Sequence, residues 1–232
     1  HCLHQDPALL TQLEQESPDA ANQSKYLINA AFSPVYRNTE STYLTPGEVC
    51  FPVMLQELRK AEKYIFLEYF IIEEGVMWNA ILDVLKEKAA HGVDVRVMYD
   101  DIGSIFTLPS DYGEKLAQYG IWCEVFNPFV PVASIRLNNR DHRKLCIIDG
   151  KVGFTGGINL ADEYINVKER FGHWKDSGIL VRGAAAWSMT VMFLTAWEHL
   201  TDEEENCDTY RPASEDIPTR GYVQPYLDTP LD

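Results

Sequence analysis

One run limits what this chain can fold into: Tyr64-Ile65-Phe66-Leu67-Glu68-Tyr69-Phe70-Ile71-Ile72. It is apolar at nearly every residue rather than at alternate ones, which predicts a strand covered by helices on both faces. A segment of helical period follows over residues 76–90 and ends at Gly92, and residues 93–99 form a second strand. Strand, helix, strand predicts a right-handed crossover between parallel strands. The pattern repeats with a helix near 110–119, Gly120, and a strand over 121–126. The fold class is therefore α/β, a β-sheet flanked by helices on both faces.

The flanking segments are less regular. Residues 1–43 are polar, with scattered anchors at Leu9, Leu10, Leu13, Tyr26 and Leu27, and predict a short helix or two. Thr45 and Pro46 have the chemistry of an N-cap and a first helical residue, ahead of an apolar face at Phe51, Leu55, Leu58 and Ala61. Residues 127–139 read as an irregular loop carrying Phe129, Val130, Val132 and Ile135, with packing onto the core as the default. A short helix over 161–165, a strand over 177–181 and an amphipathic helix over 184–200 follow. The acidic run Asp202-Glu203-Glu204-Glu205 and the proline-containing tail read as linker. The expected organisation is a polar N-terminal segment (1–43), a catalytic domain (44–200) and an acidic tail (201–232).

Composition narrows the function. A charge of −15 argues against a nucleic-acid binder that works through bulk electrostatics, and against simple charge-driven docking on anionic lipid. No apolar run reaches the roughly 20 residues needed to cross a bilayer. The five cysteines form no C-x-x-C pair, and three lie in apolar runs. The simplest expectation is a reduced, cytosol-facing protein without a zinc site.

The chemistry concentrates between Asp141 and Asn159. Apolar residues run into Asp149-Gly150, a strong turn signal, and resume at Val152 and Phe154, which predicts a β-hairpin. On a strand, His142, Lys144, Cys146 and Ile148 share one face and Arg143, Leu145 and Ile147 the other. An imidazole beside an ammonium suits attack on phosphorus while holding its negative oxygens. Gly156-Gly157 allows close backbone approach and brings Asn159 round as a further donor. Asp149 is too far along the strand to touch His142 and reads as a structural member that fixes the turn. Glu68, a carboxylate inside an apolar strand, costs on the order of several kcal/mol unless paired. Glu68 and Asp176 are candidates to orient the imidazole, and a structural ion pair for Glu68 is an equal alternative. Arg136, Arg140, Arg143 and Lys144 make a local basic patch. Asp100-Asp101 at a strand end suits a cation or a helix cap, and no metal is assigned.

His142-x-Lys144-x4-Asp149 with Gly156-Gly157-x-Asn159 resembles the HKD signature of the phospholipase D superfamily. Leu67-Glu68-Tyr69-Phe70-Ile71, Tyr99-Asp100-Asp101-Ile102-Gly103-Ser104, Asn139-Arg140-Asp141-His142-Arg143-Lys144 and Trp174-Lys175-Asp176 are similar to bacterial cardiolipin synthases within it. The resemblance implies a phospholipase D-like mixed sheet and a phosphatidyltransferase that forms a phosphohistidine at His142 and uses no cofactor. It implies catalytic roles for His142, Lys144, Asp149 and Asn159, and a substrate site bordered by Glu68, Arg140, Gly156, Gly157 and Asp176. Anionic phospholipids such as phosphatidylglycerol are the implied substrates, at the cytoplasmic face of the cell membrane and without nucleic acid as a partner. His173-x-Lys175 is followed by Leu180 where an Asp is required, so this chain carries a single signature. The family completes its site with a second signature in the same chain or a homodimer partner, so an N-terminal half of a longer enzyme is expected. Phospholipid hydrolysis and a homodimeric single-signature nuclease are the alternatives.

Overall fold

The computed structural model describes residues 2–128 and 140–227. Two helices, α1 (Pro7–Glu16) and α2 (Pro18–Ala31), precede an edge strand β1 (Thr39–Leu44). Then come α3 (Gly47–Leu58), β2 (Tyr64–Tyr69), α4 (Val76–Ala90), β3 (Asp94–Asp100), the short α5 (Asp101–Ser104), α6 (Tyr112–Ala117) and β4 (Trp122–Phe126). The hairpin strands β5 (Lys144–Ile148) and β6 (Val152–Gly156), then β7 (Gly178–Gly183) and α7 (Ala186–Thr201), complete the order.

The seven strands of the described residues form one sheet in the order β1-β7-β6-β5-β2-β3-β4. β2, β3 and β4 are parallel, as the repeated crossover requires, and the other neighbours are antiparallel. The mixed character arises where β5 runs back along β2, pairing Tyr69 with Lys144 and Glu68 with Leu145. Alternation then separates two cores. Leu67, Tyr69, Cys146 and Ile148 pack with Met54 of α3 and with Trp78, Ile81 and Leu85 of α4. Phe66, Leu145 and Ile147 pack with Met189, Phe193 and Trp197 of α7.

Several local expectations change. Thr45 does not cap α3: its peptide to Pro46 is cis, and its hydroxyl donates to the Asp176 carbonyl (2.8 Å). The buried face of α3 runs through Cys50, Met54 and Leu58. β1 is a strand because it completes the sheet edge against β7, a pairing that its own polar residues do not announce. The tail is docked rather than a free linker. Val223 bridges Tyr36, Gln224 donates to the Ser33 carbonyl (2.8 Å), and Glu205 pairs with Arg96.

The reduced-cysteine expectation is also corrected, because Cys2 and Cys207 form a disulfide. It spans 205 residues of sequence and became possible only when the N-terminus and the tail met beside α7, where Trp187 donates to the Cys2 carbonyl. Cys50, Cys123 and Cys146 remain free. No helix among the described residues is long and apolar enough to cross a membrane.

Candidate functional site

The hairpin sets the site's frame. Ile148 pairs with Val152, leaving residues 149–151 in the turn, with Asp149 and Gly150 both at positive φ. Asp149 does more than close the turn. Its carboxylate accepts the backbone N–H groups of Glu62 (2.9 Å), Lys63 (2.8 Å) and Tyr64 (2.9 Å), which tethers the hairpin to the start of β2. That end of the sheet is opposite the end that carries His142.

At the other end, β5 begins at Lys144, so His142 lies just outside the ladder. Its ring is exposed and sits 4.7 Å from the Phe70 ring, which follows the end of β2. Lys144 is buried, donates its ammonium to the His142 carbonyl and lies 5.5 Å from the Phe70 ring centre. Lys144 also lines a narrow cleft with Tyr69, Thr155, Gly156 and Gly178. The site thus occupies the carboxyl ends of the parallel strands, where open α/β sheets place their ligands.

Electrostatics prepare both groups. Burial lowers the His142 pKa, and the Lys144 charge lowers it further, while Asp141 and Asp100 oppose the shift. The imidazole is therefore neutral and nucleophilic near neutral pH. Burial also pulls Lys144 down to about 8, against the opposing charges of Asp141 and Asp176. Its ammonium persists at neutral pH, and the bond to the His142 carbonyl uses only one of its three donors.

The remaining candidates divide. Asp176 borders the site: a Cβ added at Gly157 would collide with its carboxylate, and its charge acts on Lys144. Its oxygens accept from the Ser177 N–H (2.8 Å) and the Trp174 indole (3.2 Å). Gly156, at φ 148, lies against the Ser177 carbonyl and leaves no room for a side chain. Asn159 is less free than expected. It is buried, its Oδ1 accepts the Ile71 N–H (3.0 Å), and its Nδ2 donates to the Tyr164 hydroxyl (2.8 Å). Arg140 is committed to Asp100 (3.5 Å) and to the Asn127 carbonyl (3.1 Å).

Glu68 lies on the opposite face of the sheet from Lys144. It sits opposite Leu145, on the α7 face of the sheet, and pairs with Arg143 (2.6 Å). Alternation had already put Arg143 on that face. Asp100 caps α5 through the Gly103 N–H (3.1 Å) and also accepts the Asp141 N–H (3.0 Å). The sequence placed Asp141 beside His142 in the chain and offered Asp100 as a cation or cap candidate, but gave no sign that Asp100 would hold the Asp141 N–H or that Phe70 would meet the imidazole. The apolar loop residues 129–135 and Arg136 lie outside the described residues. Among those residues, no group of three or more His, Cys, Asp or Glu side chains is arranged to hold a metal ion.

Comparison with known proteins gives this geometry a family. Residues 54–171, which contain β2 through the hairpin and the His142–Lys144 pair, match the family described as "Cardiolipin synthase, PLD-like domain". The chain belongs to the phospholipase D superfamily. Within it, the chain is 46% identical over 98% of its length to an uncharacterized protein of Streptococcus mutans, and covers 49% of that protein. It is 37% identical over 85% of its length to cardiolipin synthases of Geobacillus thermodenitrificans and Geobacillus kaustophilus, and covers 41% of each. The chain therefore spans about half the length of the curated relatives it matches, and the family is one of enzymes. The fold agrees. Phosphatidylserine synthase of Haemophilus influenzae superposes with a TM-score of 0.57 at 14% identity, over 82% of this chain and 45% of that one. Nuc of Salmonella typhimurium, a phospholipase D family member, gives 0.51 at 16%, over 71% of this chain and 95% of Nuc.

Proposed function

We propose that this domain is half of a phosphatidyltransferase of the cardiolipin synthase type. The observation that carries the reading is the neutral imidazole of His142 beside the buried ammonium of Lys144, at the open end of a phospholipase D-like sheet. In the first step a ring nitrogen of His142 attacks the phosphorus of a phosphatidylglycerol-like donor. The P–N bond forms, the P–O bond to glycerol breaks, and the leaving alkoxide takes a proton from an acid on the opposite side. In the second step the hydroxyl of an acceptor phospholipid gives its proton to that same group and attacks phosphorus, and the P–N bond breaks. Two phosphatidylglycerols become one cardiolipin and one glycerol. The roles are symmetric, so His142 serves either as nucleophile or as the opposed acid.

Lys144 compensates the charge that builds on the equatorial oxygens. Asn159 braces the loop around the phosphate and retains a second amide proton for it, since only one is given to Tyr164. Asp176 orients the reacting groups beside Gly157, and Asp149 acts from a distance by holding the hairpin. One signature supplies one imidazole, so the opposed group comes from a second half of the same polypeptide or from a partner copy. The substrates place the working enzyme at a membrane surface. The Cys2–Cys207 disulfide favours its oxidising side over the cytosolic one.

The test is product analysis with the full-length enzyme on phosphatidylglycerol vesicles, with and without His142→Ala. Cardiolipin and glycerol in equal amounts, lost in the variant, support the reading. Phosphatidic acid without cardiolipin would replace transfer by hydrolysis. The isolated chain is expected to be inactive as a monomer, and robust turnover by a species shown to be monomeric would sink the two-half arrangement.

A further inference from the structure

The backbone around His142 poses a mechanical problem. β5 starts at Lys144, so residues 141–143 lie outside the hydrogen-bonded ladder, and the His142 ring is exposed. A nucleophile on a loose segment wanders, and a misplacement of about 1 Å can cost on the order of a hundredfold in rate. Something other than strand pairing must hold this segment.

The two residues that flank His142 are tied to each other and, through Arg143, to Glu68 of β2. Asp141 is buried, and its Oδ1 accepts from the backbone N–H (3.1 Å) and the Nε (2.9 Å) of Arg143. Arg143 reaches Glu68, the one acidic residue of β2, and Glu68 has no exposed surface. From the other side the Asp141 N–H is fixed by Asp100, itself fully buried and locked to α5. We propose that Glu68, Asp141 and Arg143 form a positioning assembly that clamps the backbone on both sides of His142 and so fixes the imidazole over Phe70.

Charge bookkeeping agrees with the geometry. Two carboxylates and one guanidinium buried together carry a net negative charge unless one carboxyl keeps its proton. Burial, and then the Asp141 charge, push the Glu68 pKa well above its ordinary value. Burial also works against the Asp141 carboxylate, but a hydrogen bond from Glu68 and the Arg143 charge outweigh it and hold Asp141 low. A protonated Glu68 donating to an ionised Asp141 makes the set neutral, and it gives the buried Glu68 oxygens hydrogen-bonding work they otherwise lack. These three residues do not meet the substrate. They act through His142, and the assembly rests on the reading of His142 as the reacting group.

The Phe70 ring provides a direct readout of position, because aromatic ring currents shift the His142 ring protons at 4.7 Å. The experiment records proton–carbon spectra of the histidine rings in this chain, with His142 assigned by His142→Gln. Glu68→Gln keeps the shape and neutrality of a protonated Glu68 and is expected to retain the shift. Glu68→Ala and Arg143→Lys are expected to lose most of it while the amide spectrum stays folded. Should Glu68→Ala unfold the chain, Arg143→Lys, which keeps charge but not the forked geometry, carries the test. In the full-length enzyme Arg143→Lys is expected to lower kcat by about ten- to a hundredfold with KM nearly unchanged. An unmoved His142 ring in folded Arg143→Lys would overturn the clamp, as would loss of the shift in Glu68→Gln. The ring position is read without substrate, so a failure of the cardiolipin reading in product analysis leaves this result standing and separately interpretable.

Discussion

At the scale of single residues, the site works by contrast between neighbours. Lys144 and His142 sit beside each other, yet burial lowers both pKa values, so one group is neutral and the other charged near pH 7. Activity should then be bell-shaped in pH. The acid limb follows ionisation of His142, below its ordinary value, and the alkaline limb falls near pH 8 as Lys144 loses its proton. A pH profile of kcat/KM flat across pH 7–9 would contradict this assignment. The same burial makes Lys144 a structural cost. Below about 8 the ammonium is charged in folded and unfolded chains alike, and the folded state bears the penalty of burying it. Above the ordinary value of 10.5 it is neutral in both. Stability from this group therefore rises with pH across that window. Lys144→Met should abolish turnover, raise stability by about 1 kcal/mol at neutral pH and remove the alkaline rise, all readable by denaturant titration.

At the scale of elements, the hairpin β5–β6 is a bar fixed at both ends by side chains. Asp149 holds the turn end through three backbone donors of the segment entering β2, and the Glu68–Asp141–Arg143 set holds the site end. Removing the first takes a charged acceptor from three backbone donors, of which that of Tyr64 is partly buried. Asp149→Ala is expected to cost about 3 kcal/mol in chemical unfolding, while His142 keeps its titration in the protein that remains folded. A large loss of kcat at undiminished stability would instead place Asp149 in the chemistry. At the other end Gly157→Ala should lose activity through displacement of the Asp176 carboxylate, since the new methyl group has no other space. A crystal structure of the variant with Asp176 unmoved would refute that cause.

At the scale of the whole molecule, the ends of the chain close over the α7 side. Cys2 joins Cys207, Val223 bridges Tyr36, and Arg96 gathers Asp94 and Glu205 beside the Trp197 ring. Cross-linking residues so far apart in sequence restricts the unfolded chain strongly. Cys207→Ser should therefore lower stability by about 2–4 kcal/mol relative to the oxidised protein, and should make it insensitive to added reductant. An unchanged unfolding midpoint on reduction would show that the disulfide adds nothing in solution. The site lies at the far end of the sheet, so turnover at moderate temperature is expected to survive the change.

The sequence by itself determined the parallel β2–α4–β3 crossover, the hairpin around Asp149-Gly150 and the pairing of His142 with Lys144. Each of these rests on local periodicity, turn chemistry or spacing along a strand, which a linear pattern records. The opposed fate of Glu68 and Lys144 was only half legible: alternation places them on different faces, but only once β5 is known to run antiparallel to β2 in the register Glu68–Leu145. The tertiary structure alone decided the rest. It brought Asp100 to the Asp141 N–H and Phe70 to His142, occupied Asn159 with Ile71 and Tyr164, and drew a polar segment into the edge strand β1. It also joined Cys2 to Cys207. Those contacts link residues far apart in the chain, and their free energy depends on burial and register that exist only once the sheet has formed.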